Sequence, residues 1–302
     1  MTKQDLDCIQ HALESMGVRV QRPQYGRIDD HLDHNGQLVK PEICPRDHYV
    51  VVGQELMLSS RLQHAPHYQG WPWAHAVEVY RTDSASKIRY HDLSLHVSGA
   101  NTVRVGRDLF VDCVYSRQRD DRDLRSIFTA EVEPFFADRR CHYLDNGGHV
   151  DACFALLRPG LILANRYFQD YEATFPGWQV ILRDRPEFQT GHHRSGPWAN
   201  DKWWLPDGLG NRAFNDHVIQ HAQDWIGDYT ETFFEVNCLV INPEHVFMLG
   251  NNPVLYKHLK ELGITAHELP FRCRTFWDGG LHCLTLDIRR QGGMIDYFAN
   301  SA

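Results

Sequence analysis

Tyr49-VVVGQELML-Ser59 is an apolar strand, a tight Gly turn and a second apolar strand, and the same arrangement returns at Thr102-VRVGRDLFVDC-Val114, Ala152-CFALLRPGLILA-Asn165 and Asn237-CLVINPEHVFMLG-Asn251. β-branched and aromatic residues on both sides of a Gly, Pro or Asn turn are the signal of a β-hairpin. The turn glycines Gly53, Gly106 and Gly160 are 53 and 54 residues apart, a near-constant step that marks an internal repeat. The fourth hairpin turns at Pro243, and His282-CLTLDI-Arg289 reads as a fifth strand that closes the chain. A second pattern recurs between the hairpins. His11-ALESMGVRVQR-Pro23 and His258-LKELGITAHEL-Pro270 each read as a helix, a Gly stop, an alternating strand and a Pro, and Phe175-PGWQVILRDR-Pro186 repeats the strand part. The unit is therefore hairpin, helix, strand. Such units cannot bury their apolar faces alone, so about five of them are expected to close radially into one α/β domain over residues 1–302.

Two regions interrupt the repeat: the mixed-charge run at 116–126, read as a solvated face, and a long insertion at 187–227 rich in Trp, Gly and Pro, read as a lid or a tied-down loop. With 31 Lys+Arg against 39 Asp+Glu, the net charge of −8 argues against a nucleic-acid binder. No run of about 18 apolar residues marks a membrane span, and the amino end lacks the apolar core of a signal peptide. A cytoplasmic protein is expected. The eight cysteines form no CxxC pair, so most read as small buried hydrophobes and not as zinc ligands. The nineteen histidines lie mostly in polar segments without a metal-binding helix context, so no metal and no cofactor are expected.

Three stretches could carry chemistry. Asp278-GGLHCLTLDIR-Arg290 places Cys283 just after a Gly-Gly loop, where a thiol facing a cleft could act as nucleophile once a cation, a His or a dipole favours its thiolate. Cys44-Pro-Arg-Asp47 leads into the first hairpin, and Asn146-Gly-Gly-His149-Val-Asp151 leads into the third. In an extended HxD, His149 and Asp151 point to the same face. Each capable residue stands at the mouth of a strand in its unit.

The chain resembles the amidinotransferases of the guanidino-group-modifying, or pentein, superfamily, typified by glycine amidinotransferase. The stretches that carry the resemblance are CPRDHYVVVG (44–53), ANTVRVGRDLF (100–110), HVDACFALLRPGLILAN (149–165), LKELGIT (259–265) and, most specifically, GGLHCLTLDIRRQG (279–292). The resemblance implies a fivefold pseudosymmetric α/β propeller, possible as a homodimer, that moves the amidino group of arginine or a related guanidine to a primary amine. Cys283 would form the amidino-cysteine, Asp47 and Asp151 would bind the guanidinium, and His149 would act as general acid and base.

This sequence departs from the family pattern around His149. Ser98 stands where the family has an acid that pairs with the histidine, and Asn101 replaces a second acid. Ser98 or Asn101 is expected to hydrogen-bond His149, or Glu133 or Asp145 to substitute. The family's serine pair becomes Thr230-Glu231, and Phe168 replaces its carboxylate-binding arginine, with Arg166 nearby as the candidate for that role. A hydrolase of the same superfamily, with water as acceptor, and a guanidinium-binding homologue without turnover remain as alternatives.

Overall fold

The computed structural model describes residues 2–22, 43–58, 81–82, 85, 87–90, 93, 95, 97–113, 124–145, 149–165, 170–183, 185–188, 220, 235–277 and 279–298. Almost all of the mixed-charge run and of the 187–227 insertion lies outside these residues, as do Arg166, Phe168, Thr230 and Glu231.

Four three-stranded sheets follow one another along the chain. They are β1 (Tyr49–Val52), β2 (Glu55–Leu58) and β3 (Lys87–Tyr90); β4 (Thr102–Val105), β5 (Asp108–Asp112) and β6 (Arg140–Leu144); β7 (Phe154–Arg158), β8 (Leu161–Ala164) and β9 (Gln179–Leu182); and β10 (Leu239–Asn242), β11 (His245–Leu249) and β12 (Thr265–Leu269). In each sheet the first two strands form an antiparallel hairpin and the third runs parallel to the second. A parallel third strand requires a crossover, and the helical segments between hairpin and third strand supply it in the second, third and fourth sheets. Gly53, Gly106 and Gly160 all have positive φ, which the tight hairpin turns demand.

The two long helices end alike. After α1 (Thr2–Ser15), Gly17 is left-handed and the Val18 amide returns to the Leu13 carbonyl; in the fourth sheet's crossover helix, Pro253–Glu261, Gly263 is left-handed and the Ile264 amide returns to Leu259. Asn252 caps the start of that second helix through the Leu255 amide.

Apolar clusters join the sheets in chain order. Val50, Met57, Leu109 and Val111 pack sheet one against sheet two, and Phe110, Phe154 and Ile162 pack sheet two against sheet three. Leu161, Leu163, Val246 and Met248 pack sheet three against sheet four. A last cluster sets α1, through Ile9 and Leu13, against sheet four and Leu281, with Ile43 at its edge just ahead of sheet one.

Three expectations are corrected. Residues His282–Arg289 do not form a strand: Leu284 and Thr285 donate back to Gly280 and His282 in a helical turn, and the chain then runs on irregularly. Leu281 and Cys283 are buried and Leu284 packs on the fourth cluster, so the apolar residues of this stretch serve packing without strand pairing. Residues 18–22 after α1 are likewise irregular, although Val18 and Val20 pack on the fourth cluster. His149 and Asp151 do not share an extended segment, because His149 is the N-cap of a short helix, α2 (Val150–Cys153).

The tail straps sheets two and three. Arg140 clasps Asp108 with two nitrogens (2.5 and 2.9 Å) and Asp296 at 2.8 Å, while Phe298 stacks on Trp178. The Arg107 amide donates to Ile295 O at 3.0 Å, and Gly106 has no side chain to obstruct that carbonyl. Gly160 faces open space. Gly160→Ala is expected to cost about 1–2 kcal/mol from its left-handed backbone alone. Gly106→Ala should cost at least about 1 kcal/mol more because it also displaces the tail, a difference that denaturant titration of both variants measures.

Candidate active site

Each sheet delivers polar residues just ahead of its first strand. The 3₁₀ turn Pro45–Asp47 precedes β1, Ser98 to Asn101 precede β4, His149 and Asp151 precede β7, and Asn237 precedes β10. These lead-ins are bonded to one another. Ala100 N donates to Arg46 O (3.0 Å), Asp151 N to Ala100 O (3.1 Å) and His282 N to Asn237 O (3.3 Å). Arg46 Nε then donates to His282 O (2.7 Å), and the His282 ring joins Asp151 Oδ2 (2.8 Å). The contact between the first two lead-ins needs Gly99, where any side-chain carbon would collide with the Tyr49 and Arg46 carbonyls.

Cys283 sits in the middle and is 2% exposed. Asn237 holds it at two points: the side-chain amide donates to Sγ at 2.9 Å, and the side-chain oxygen accepts the Cys283 amide at 3.1 Å. The thiol points at Asp151 Oδ2, 3.4 Å away. Asp151 is buried, and its other oxygen, Oδ1, has no hydrogen-bond partner among the described residues. Burial pushes the Asp151 carboxyl up, but the hydrogen bond from His282 and the positive charge nearby, Arg46 included, outweigh it, so the group lies below its ordinary value and is ionised. His282 is shifted down, by burial first and by the Arg46 charge second. Neutral His282 therefore carries its proton on Nδ1 and donates to the carboxylate.

Arg46 is buried and its charge is met by Asp287 at 3.1 Å; Arg104 and Arg290 reach the same oxygen at 3.4 and 3.3 Å. Burial pushes the Asp287 carboxyl up, yet Arg46, Arg290 and Arg104 together hold it well below the usual carboxylate range.

The structure thus brings Cys283 and Asp151 into contact and sets His149 beside Asp47, Nδ1 to Oδ1 at 3.9 Å. It does not make Ser98 the partner of His149: Ser98 Oγ is buried without a hydrogen bond among the described residues. Asn101 instead gives its oxygen to the Val150 amide at 3.3 Å, capping α2, and its Nδ2 is buried without a partner among the described residues. Glu133 lines a separate cavity of about 510 Å³ with Phe110, Arg125, Tyr143 and Phe298. Asp47 is a carboxylate that does stand near the ring. Asn237, His282 and the Arg46–Asp287 pair were not among the residues expected from the sequence. His282, Arg46 and Asp287 lie inside the quoted motifs, whereas Asn237 has no signal beyond its place at a hairpin edge.

Among the described residues no group of three or more His, Cys, Asp or Glu side chains could hold a metal ion, and no helix is long and apolar enough to cross a membrane. Burial holds Cys113 and Cys238 up at about 12 and Cys141 at about 11, which leaves these three as thiols.

No family model matches the chain. Among solved structures, it superposes on an amidinotransferase of the saxitoxin biosynthetic pathway from Microseira wollei with a TM-score of 0.69 at 19% identity, covering 98% of this chain and 85% of that one. The inosamine-phosphate amidinotransferase of Streptomyces griseus gives 0.65 at 21% identity, covering 98% and 82%. These superpositions place the chain in the α/β fold of the pentein proteins. By sequence it is 25% identical to inosamine-phosphate amidinotransferase 1 of Streptomyces glaucescens over 98% of this chain and 82% of that protein. It is 26% identical to the mitochondrial glycine amidinotransferase of Gallus gallus over 66% of this chain and 40% of that protein. The chain is a relative of the pentein amidinotransferases.

Replacing Asn237 by Ala removes the donor to Sγ and should slow iodoacetamide labelling of Cys283 at neutral pH about tenfold or more, the scale of losing one hydrogen bond to a charged group. The folded-state value of Asp287 lies below its unfolded value near 3.8, so the arginine cluster contributes its full stability above that value and loses it as pH falls further. Denaturant midpoints of wild type and Asp287→Asn should differ by a constant amount from neutral pH down to about pH 5 and converge below about pH 4.

Proposed function

We propose that the protein is an amidinotransferase that takes the amidino group from arginine or a related guanidine, holds it on Cys283 and passes it to a primary amine. The observation that carries the reading is the buried Cys283 thiol, held by Asn237 and facing a buried carboxylate with one oxygen unpaired among the described residues. A thiolate beside an ionised Asp151 is disfavoured by charge, so the site is suited to a substrate that brings its own cation. A planar guanidinium donating to Asp151 Oδ1 would neutralise the pair and set its carbon against the sulfur.

The steps balance. The Cys283 thiol yields its proton to His149, its sulfur attacks the guanidinium carbon, the bond from that carbon to the substituted nitrogen breaks, and His149 passes the proton to the departing amine. The incoming amine attacks the amidino carbon, His149 takes its proton, and the carbon–sulfur bond breaks to return the thiolate. Asp47 orients His149 and contributes the second carboxylate toward the guanidinium. Arg166 is proposed to meet the substrate's carboxylate. All of these steps are carried by side chains and call for no metal or organic cofactor. The four sheets, with α1 and the 279–285 turn filling the fifth sector, are proposed to close as a fivefold propeller in a single domain over residues 1–302.

Intact-protein mass after brief incubation with arginine and no acceptor should show wild type gaining one amidino group and Cys283→Ala gaining none. Citrulline or ammonia without an adduct would make water the acceptor, and arginine binding without any product would leave a binding protein. In the transfer assay, Asp151→Asn should lose about 2–5 kcal/mol of transition-state stabilisation in kcat/KM, the scale of a buried charge left unmatched.

A further inference from the structure

We propose that Cys44 and Cys283 form a reversible disulfide, which makes the central thiol a peroxide-responsive modification site with Cys44 as its resolving partner. Both residues are buried, and neither is in a disulfide here. They meet across Gly279. A side-chain carbon at that position would stand 2.9 Å from Cys44 Sγ, 3.1 Å from Cys283 Cβ and 3.8 Å from Cys283 Sγ. Gly279 has no left-handed φ, so its backbone would suit any residue; what it supplies is the empty space between two sulfurs. Cys44 comes from the lead-in to sheet one and Cys283 from the carboxyl-terminal turn, segments nearly the whole chain apart in sequence.

Disulfide bonding needs the sulfurs about 2.0 Å apart. The Cys283 turn belongs to no strand ladder, and both sulfurs lie within 4 Å of the position a Gly279 side-chain carbon would take, so bonding calls for rotation of the two side chains and a shift of that turn. Asp151 opposes negative charge on Cys283, and the Asn237 amide donating to Sγ offsets it, which makes Cys283 and not Cys44 the attacking sulfur. Cys113, Cys141 and Cys238, held as thiols by burial, do not compete.

With hydrogen peroxide as oxidant, the Cys283 thiolate attacks one oxygen, the O–O bond breaks, hydroxide leaves and a sulfenic acid remains. The Cys44 sulfur then attacks the Cys283 sulfur, the S–O bond breaks, and the hydroxyl leaves as water with the Cys44 proton. A dithiol reductant reverses the bond. The pair would thus divert Cys283 from irreversible oxidation and silence it while oxidised.

The test exposes the whole chain to a few equivalents of hydrogen peroxide, alkylates the remaining thiols and maps the peptides by mass. Wild type should lose two hydrogens, join the Cys44 peptide to the Cys283 peptide, and recover iodoacetamide labelling of Cys283 after dithiothreitol. Cys44→Ser should label at Cys283 as wild type does before oxidation, give no joined peptide, and carry Cys283 on to sulfinic and sulfonic acids that dithiothreitol does not reverse. Cys44→Ala should repeat this result without placing a hydroxyl in the buried site. Oxidation of wild-type Cys283 to sulfinic acid without a link to Cys44 overturns the proposal, as does an intact Cys283 thiol at a peroxide dose that oxidises the exposed Cys8. Labelling reads these outcomes whether or not arginine reacts, so a failure here is told apart from a failure of the transferase reading.

Discussion

The hydrogen-bonded circuit Arg46–Ala100–Asp151–His282 is the constraint on which the arrangement depends. Its members come from the lead-ins of three sheets and from the carboxyl-terminal turn, and Asn237 of the fourth sheet joins it through the His282 amide. Among the described residues no sheet is wider than three strands, and none of these ladders spans the centre. The circuit does what a continuous sheet does elsewhere: it fixes the separate units to one another at the point where their strands begin. The apolar clusters between neighbouring sheets supply the bulk of the burial, and the circuit supplies the register.

Charge burial at the centre is balanced in layers. Asp151 is ionised because neutral His282 donates to it and positive charge stands nearby. That positive charge, Arg46, is itself buried and rests on Asp287, which two further arginines share. A buried ion without such a partner would cost several kcal/mol, so the outer ion cluster and the inner carboxylate are one electrostatic object. Ser98 and Asn101 are both buried, and an acid at either position would add a further buried charge to be balanced.

Most of the repeat was legible because tight hairpins write themselves locally. A glycine with positive φ between two short apolar runs has few other readings, and Gly53, Gly106 and Gly160 all lie at such turns. The helix ends at Gly17 and Gly263 were legible for the same reason. His282–Arg289 was misread because apolar alternation reports what a segment can bury, and a helical turn that buries Leu281 and Cys283 serves the same pattern. Cys283 and Asp151 stood out by chemistry and meet in space. Asn237 did not stand out, since an Asn before a strand has no periodicity and its partner is 46 residues away. The pairing of Arg46 with Asp287 spans 241 residues, beyond any local pattern.

The carboxyl-terminal position of the central turn governs when the site can exist. Arg46 waits for the carbonyl of a residue 236 positions later in the chain. During synthesis the four sheets emerge in order and can pair locally, but the thiol and its histidine neighbour follow all four of them. Contacts of such sequence separation are slow to close. The nascent chain therefore builds its four sheets before the residues that complete the centre are available.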